Sequence, residues 1–171
     1  AITWFVAEVW PLIRRQKPQA TLMIVGRDPR PEIQALADQP GIIVTGEVRE
    51  PADYIARAAI CIDPVQAGAG MQNKLIEFMA MGKPIVETTI ANEGIGATPG
   101  LHLVLADEPR AMADEILLLF DDSDRAEAMG KAARLFVEES WSWEAPFLKL
   151  EAEMRNAIDE SRQTESPPVC G

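Results

Sequence analysis

Short apolar runs alternate along this chain with stretches in which apolar residues recur at helical spacing. Five of the runs are brief and largely apolar, as strands buried on both faces of a parallel sheet are. They are Thr21–Val25, Ile42–Val44, Ala59–Ile62, Pro84–Val86 and Leu101–Leu105. The alternation of strands and helices predicts an α/β fold built on a doubly wound parallel sheet.

Helical spacing marks the segments between these strands. Phe5 and Ile13 lie on the apolar face of a first helix, which Pro11 should kink or interrupt because proline lacks a backbone N–H. The other helices predicted between strands cover Ile33–Ala37, Ala52–Ala58 and a segment that starts near Met71 and ends before Gly82, a typical stop signal.

After the last strand the pattern is entirely helical. Pro109 opens one predicted helix and Ser123 opens a second, and Ser142 can cap a third. Residues 1–157 are therefore expected to form one domain, truncated at its N-terminal edge because the chain opens inside an amphipathic helix. The polar, proline-containing tail 158–171 is predicted to be flexible.

Composition narrows the class of partner. The 171 residues carry a net charge of −11, which argues against a nucleic-acid footprint and against adsorption to an anionic membrane. No apolar run approaches membrane-spanning length. We therefore expect a cytoplasmic protein without a transmembrane segment. Peripheral contact of the full-length polypeptide with the inner membrane is compatible with this expectation.

Cysteine and histidine chemistry is sparse. Cys61 lies in an apolar run and is interpreted as a buried small hydrophobe, and Cys170 lies in the polar tail. His102 is the single histidine, and its place at the start of the last strand favours a structural role. Because no Cys/His cluster has the spacing of metal ligands, we expect neither a metal nor a cofactor.

The most informative segment is a small-residue loop that runs into the predicted helix after Gly68. At about 100° per residue, Asn73, Lys74 and Glu77 share one third of the helix circumference with Gly70, and the opposite side is largely apolar. Free N–H groups at a helix N-terminus beside a lysine suit phosphate, and a carboxylate suits sugar hydroxyls. The combination suggests a sugar-nucleotide diphosphate, although a solvated helix face after an ordinary turn would carry the same pattern.

Three loops with suitable chemistry follow predicted strands. They are Asp63–Gly70, Gly46 with Glu47, and Asn92–Gly94. Because parallel α/β sheets bind ligands at the carboxyl ends of their strands, these loops should converge at one edge of the sheet. That convergence favours a ligand site over ordinary turn chemistry.

The run from Gly68 to Val86, followed by Asn92-Glu93-Gly94-Ile95, resembles the donor-binding half of GT-B glycosyltransferases. Within these enzymes it is similar to family 4, and especially to the sugar transferases associated with exopolysaccharide. The likeness extends over about residues 2–155, and it implies that the sheet is the Rossmann-like half of a GT-B fold. It also implies a nucleotide-sugar donor and an acceptor-binding domain N-terminal to this one.

The resemblance implies roles for matching positions. Glu77 corresponds to the glutamate that binds the ribose, whereas Ala69 stands where relatives carry a glutamate directed at the sugar. Lys74 either adds positive charge at the diphosphate or faces solvent. The implied substrate-binding positions are Gly46 and Val48 beside the base, Gly68, Ala69 and Gly70 at the diphosphate or sugar, Lys74, Glu77, and Gly94 near the sugar.

By the same resemblance, sugar transfer would retain the anomeric configuration. The positive side chains that relatives use lie in elements before the first residue of this chain, as does the acceptor-binding half, so the isolated chain is expected to transfer no sugar. Removal of that half would expose apolar residues and promote self-association. The candidates for this surface are Trp141, Trp143, Phe147, Leu148 and Leu150. The alternative interpretation is that these residues cover the sheet of their own domain.

Two alternatives remain open. One is the half of a GT-B sugar-nucleotide epimerase, for which a single histidine leaves little acid–base chemistry. The other is a receiver-like or flavodoxin-like regulatory module with Asp63 as phospho-acceptor. A receiver needs acidic residues after its first strand to hold Mg²⁺, and Gly26-Arg27 does not supply them. Asp63-Pro64 is accordingly predicted to be a turn.

Overall fold

The computed structural model describes residues 1–68 and 72–141. Its strands confirm the predicted order. They are β1 (Leu22–Val25), β2 (Ile42–Gly46), β3 (Cys61–Asp63), β4 (Ile85–Glu87) and β5 (Val104–Leu105). The described helices are α1 (Ile2–Trp4), a π-helical segment (Phe5–Val9), α2 (Trp10–Gln16), α3 (Pro31–Gln34) with a 3₁₀ turn (Ala35–Asp38), α4 (Pro51–Arg57), α5 (Asn73–Ala80), α6 (Thr89–Asn92), α7 (Pro109–Asp121) and α8 (Ser123–Ser140).

The strands form two parallel sheets rather than the single sheet predicted. β1 pairs with β2, and a second sheet has the order β3-β4-β5. The division falls between β1 and β3, which face each other across a cavity of about 590 Å³ lined by Thr21–Val25 and Ile60–Asp63. We call this cavity the slot. The α/β class with parallel strands and a helical C-terminal segment is thus confirmed, with the sheet divided.

Pro11 does not interrupt the first helix. The segment from Ile2 to Gln16 stays helical, because a π turn precedes the proline and the N–H of Trp10 donates to the carbonyl of Phe5. The wider π turn absorbs the constraint that a proline imposes on the preceding turn. Pro11 itself is the second residue of α2, which follows the π turn directly.

Two apolar clusters hold the fold together. The first joins Phe5, Val9 and Ile13 of the N-terminal helices to β1, β2 and α7. The second joins β3 and β4 to α5 and α8, with Leu75 and Met79 fully buried. The apolar side of α5 predicted from the sequence is therefore the buried side, and its polar side is left for solvent or a ligand.

Two glycines let α8 lie against the end of α5. Gly82 ends that helix with φ of +64°, as predicted for a stop signal. A Cβ placed on Gly130 of α8 would lie 2.0 Å from the carbonyl oxygen of Gly82. The backbones therefore approach more closely than any side chain at position 130 would allow.

Candidate functional site

The predicted loop and helix lie at the carboxyl end of β3. The chain leaves the strand at Asp63, passes Gly68 with φ of +137°, and enters α5 at Asn73. This φ lies in the region that L side chains rarely adopt, so the glycine is required there by backbone geometry. Ala69 and Gly70, two of the predicted binding positions, lie outside the described residues.

A buried carboxylate holds the lysine of this helix. Nζ of Lys74 lies 2.8 Å from Oδ1 of Asp63, whose side chain is fully buried while that of Lys74 is 48% exposed. The approach is an ion pair rather than a well-angled hydrogen bond. The ammonium group of Lys74 is therefore held by Asp63, while about half of the surface of its side chain stays accessible.

A second buried acid lies beside Asp63. Asp63 and Glu87 are register partners on β3 and β4, so their side chains lie on the same face of the sheet. Both are 0% exposed, and within 1–68 and 72–141 neither carboxyl group accepts a hydrogen bond of good geometry. Two carboxylates at neighbouring positions repel each other when both are ionised, which favours retention of a proton by one of them.

The pKa values follow from this geometry. Burial raises the pKa of Glu87 to about 8, the charge of Asp63 adds to the rise, and Lys74 opposes it. Burial also raises the pKa of Asp63, against the effect of Lys74. Since only Asp63 has a cation at contact distance, we assign the negative charge to Asp63 and the proton to Glu87 near neutral pH.

Glu77 lies on the accessible side of α5. It is exposed, and it lines the slot together with Lys74, Asp63 and Tyr54. Residues three apart on a helix are neighbours on its surface, so Lys74 and Glu77 present a cation and a carboxylate side by side. This face can offer one positive and one acceptor-only group to a ligand.

Three further predicted positions, Gly46, Val48 and Gly94, are described by the structure and do not line the slot. Gly46 ends β2 with φ of +69° and lines a smaller cavity of about 280 Å³ beside Pro29. Val48 follows it, half-buried, and Gly94 is exposed in the turn after α6. Among the described positions, Lys74 and Glu77 thus line the same cavity, whereas Gly46, Val48 and Gly94 do not line the slot.

The interpretation of Asp63-Pro64 as a turn was wrong. Asp63 is the last residue of β3, and its carbonyl accepts from the N–H of Thr88 at 3.2 Å, which extends the pairing with β4. Glu87 was missed altogether, because the predicted strand ended one residue before it. The available signal was an acidic residue directly following each of two neighbouring apolar runs.

The other candidates have structural roles. His102 accepts a hydrogen bond at Nδ1 from the N–H of Thr98, 3.0 Å away, and its ring stacks on Phe136 at 4.6 Å. Cys61 is buried as predicted, and burial raises the pKa of its thiol to about 11. Trp141 packs against the second apolar cluster, and the other residues of the predicted apolar surface, 143–150, lie outside the described residues.

The described part of the chain has neither a membrane-spanning helix nor a cluster of metal-binding side chains. None of its helices is long and apolar enough to span a bilayer. Nor does it contain a group of three or more His, Cys, Asp or Glu side chains placed to hold a metal ion.

The family model of glycosyl transferases group 1 matches residues 1–122. This chain therefore belongs to the glycosyl transferases group 1 family, which decides against the receiver-like alternative. An uncharacterized 44.6 kDa protein in the cps region of Klebsiella pneumoniae is 24% identical over 148 residues, covering 82% of this chain and 38% of that protein. A GDP-mannose-dependent monoacylated alpha-(1-6)-phosphatidylinositol monomannoside mannosyltransferase of Corynebacterium glutamicum is 37% identical over 70 residues, covering 40% of this chain and 18% of that enzyme.

Solved structures agree on the fold. Sucrose-phosphate synthase of Thermosynechococcus elongatus superposes with a TM-score of 0.72 at 24% identity, over 90% of this chain and 42% of that one. The C-terminal domain of a Francisella tularensis glycosyl transferase group 1 protein gives 0.69 at 15% identity, over 82% and 80%. HepE of Anabaena, solved with UDP and glucose, gives 0.66 at 16%, over 77% and 39%. The fold is that of GT-B glycosyltransferases, and the chain spans less than two fifths of the curated relatives it matches.

Proposed function

We propose that this chain is the donor-binding domain of a retaining glycosyltransferase in polysaccharide or glycan synthesis, and that its ligand is a nucleotide-diphosphate sugar. The observation that carries the proposal is the pairing of Lys74 and Glu77 on the accessible face of α5, at the carboxyl end of β3. In a parallel α/β fold this is the edge at which ligands bind.

The comparisons support a nucleotide-sugar donor without fixing its base. HepE of Anabaena was solved with UDP and glucose and with UDP-glucose, and the Corynebacterium glutamicum relative depends on GDP-mannose. The relative in the Klebsiella pneumoniae cps region supports a role in polysaccharide synthesis. Uridine and guanosine diphosphates are therefore the two probes to compare.

Each residue has a defined part in the proposed complex. Glu77 accepts hydrogen bonds from the two vicinal ribose hydroxyls, which suits an ionised, acceptor-only group. Lys74 places its ammonium near the diphosphate, held there by Asp63. Backbone N–H groups of the loop at Gly68, which precedes α5, and of the first turn of α5 add to the positive field.

The remaining predicted positions complete the proposed pocket. Gly46 and Val48 border the base, Gly94 allows close backbone approach to the sugar, and Ala69 stands where relatives carry a carboxylate, which leaves room for a different sugar. Catalysis then consists of stabilising negative charge on the departing diphosphate with pre-positioned donors and cations. No metal ion or cofactor is needed for this scheme.

We expect the full-length polypeptide to transfer sugar with retention, and the 171-residue chain to bind nucleotide weakly and transfer none. An acceptor-binding half, located N-terminal to this domain in the full-length polypeptide, would supply the second substrate. Nuclear magnetic resonance of the freshly formed product identifies the anomer directly. An inverted product would contradict the retaining assignment. Robust transfer by the 171-residue chain would contradict the expectation that an acceptor-binding half is required.

The test of the site is Glu77→Gln, measured by calorimetric titration of UDP and GDP into the full-length polypeptide and into the 171-residue chain. Loss of a charged hydrogen bond costs about 1–3 kcal/mol, which weakens binding roughly 5- to 150-fold. Glu139→Gln is the matched control, because it makes the same change at an exposed position of α8. Equal affinity for Glu77→Gln and the unmodified protein would refute the site.

A further inference from the structure

We propose that Glu87 is a positioning residue for Lys74, and that the buried pair it forms with Asp63 holds the ammonium in its observed place while the pair keeps one proton. When that proton is lost, the pair draws the ammonium inward and away from a bound anion. The effect on Lys74 follows from the contacts of these three side chains. Its consequence for a diphosphate rests on the proposed function.

Both acids lie on the face of the second sheet that α5 and α8 cover. Asp63 and Glu87 are register partners on β3 and β4. Cys61 and Ile85, two residues earlier on the same strands, pack in the apolar cluster that includes α5 and α8. Because side chains two residues apart on a strand share a face, the acids extend this face to its carboxyl edge. Lys74 reaches that edge from the first turn of α5, with Nζ 2.8 Å from Oδ1 of Asp63.

Asp63 and Lys74 are the charged groups that act on Glu87 within residues 1–68 and 72–141. On the same face, β5 contributes Leu105 as the register partner of Glu87. The thiol of Cys61 stays neutral, because burial raises its pKa to about 11. The three side chains therefore form a small charged cluster in otherwise uncharged surroundings.

Other titratable side chains of the surrounding elements are engaged elsewhere. Glu77 of α5 is exposed, and Asp107, after β5, accepts from the N–H and the hydroxyl of Thr89. α7 packs on the opposite face of the sheet, in the cluster that contains Val86. Ion pairs on α7 and α8 include Arg110–Asp114, Arg125–Glu115, Lys131–Glu127 and Arg134–Glu138. The charge that Lys74 experiences is therefore set mainly by the two buried acids.

A single proton determines the net charge of this cluster. With Asp63 ionised and Glu87 protonated, one negative charge balances the ammonium of Lys74. When Glu87 also ionises, two negative charges face one positive charge, and the cluster becomes anionic. Both acids are fully buried, and neither accepts a hydrogen bond of good geometry from the described residues. Water and neighbouring dipoles therefore screen the added charge weakly.

Lys74 can respond to that charge. Its side chain is 48% exposed, and lysine carries its charge at the tip of a flexible four-carbon stem. A second buried anion attracts this tip more strongly toward the sheet, which removes positive charge from the accessible side of α5. Because proton and anion binding are linked, a bound diphosphate favours the protonated form of Glu87 and loses affinity when Glu87 ionises.

The pH range of this effect follows from the pKa of Glu87, which burial raises to about 8. The proton is largely retained at pH 7 and largely lost at pH 9. Affinity for a nucleoside diphosphate should therefore fall about five- to tenfold between these two values. The second ionisation of phosphate, with a pKa of about 6, and that of an ordinary lysine, about 10.4, lie outside this range.

The test of the positioning role is nuclear magnetic resonance of the full-length polypeptide, labelled with carbon-13 in its glutamate and lysine side chains. In a titration without nucleotide, we expect the Glu87 carboxyl signal to titrate near pH 8 and the Lys74 Cε signal to move with the same midpoint. In Glu87→Gln this movement of the Lys74 signal should disappear. Glu139→Gln, the same change at an exposed position of α8, should leave the movement unaltered.

Calorimetric titration of UDP and GDP at pH 7 and pH 9 tests the consequence for the ligand. We expect the unmodified protein and Glu139→Gln to lose affinity about five- to tenfold more than Glu87→Gln does over this interval. Titration of the nucleotide itself is common to all three proteins and cancels from the comparison. A glutamate with a merely structural role would change stability without altering either pH profile.

The outcomes separate this proposal from the proposed function. A Lys74 signal that does not follow Glu87 would overturn the positioning role, even if UDP or GDP binds. A Lys74 signal that follows Glu87 in a protein that binds neither nucleotide would support the positioning role and contradict the proposed function. Binding with the same pH dependence in the unmodified protein and in Glu87→Gln would overturn the link to the ligand. If Glu87→Gln fails to fold, the shared or separate midpoints of Glu87 and Lys74 in the unmodified protein decide.

Discussion

Replacing Glu87 with glutamine should remove a large part of the pH dependence of stability between about pH 5 and pH 8. Glu87 is fully buried at register with Asp63, and burial together with that neighbour raises its pKa from 4.5 to about 8. Each pKa unit corresponds to about 1.4 kcal/mol, so the difference amounts to about 5 kcal/mol. Glutamine keeps the size of the protonated side chain and cannot ionise.

The sign follows from proton binding. The folded protein binds the Glu87 proton more tightly than the unfolded chain does, so its contribution is fully present below about pH 4.5 and is lost as the pH rises to about 8. At pH 7 the loss is about 3 kcal/mol, a large part of the 5–15 kcal/mol typical of a domain. Glu87→Gln should therefore match the unmodified protein at pH 4 and exceed its stability at pH 8.5.

The assay is urea unfolding followed by circular dichroism at pH 4, 7 and 8.5. Glu139→Gln controls for the change in net charge, because Glu139 is exposed on α8. The two variants share the same chemistry and differ in burial. If Glu87→Gln and the unmodified protein lost stability in parallel across this range, Glu87 would titrate as an exposed acid and the buried carboxyl pair would be disproved.

Three further predictions concern the scaffold. Gly130→Ala should lower the unfolding free energy by about 1–3 kcal/mol, because the added Cβ would meet the Gly82 carbonyl. This loss should exceed the gain of about 1 kcal/mol in helix propensity. An unchanged or higher melting temperature would contradict the prediction. Asn92→Ala should lower the unfolding free energy by about 2–3 kcal/mol, since the Asn92 amide bonds both the N–H and the C=O of Ala97. Denaturant unfolding measures this change. A loss under about 0.5 kcal/mol, as at ordinary surface sites, would contradict the prediction. Cys61 should resist iodoacetamide at pH 8 in the folded protein and react in urea, because burial raises the pKa of its thiol to about 11. Peptide mass spectrometry measures the modification. Rapid modification of the folded protein would show an accessible thiolate and contradict the prediction.

The strands could be predicted because each is a short apolar run, a local property of the sequence. Pairing is not local. Nothing in the runs themselves indicated that β1 and β3 would leave a slot between them, since that depends on which edges meet in three dimensions. The last strand shows the same limit: of Leu101–Leu105 only the last two residues pair as β5, and the preceding residues form a turn and an isolated bridge at Leu103.

The site was predicted in part for a similar reason. Lys74 and Glu77 could be placed on one face from helical spacing alone, and the structure agrees. Glu87 could not, because a charged residue after an apolar run usually marks the end of burial, and its burial depends on pairing with β3. Asp63 was misassigned because the proline after it indicated a turn, whereas its carbonyl extends the pairing with β4.

The contact between Gly82 and Gly130 couples two parts of the molecule mechanically. The carbonyl of Gly82 occupies the space that a side chain at position 130 would fill. A movement of α8 along the end of α5 would therefore move the end of α5 as well. A displacement imposed at the C-terminal end of α8 would therefore be transmitted to α5, the helix that carries Lys74 and Glu77. A small tilt of α8 would reorient both side chains together.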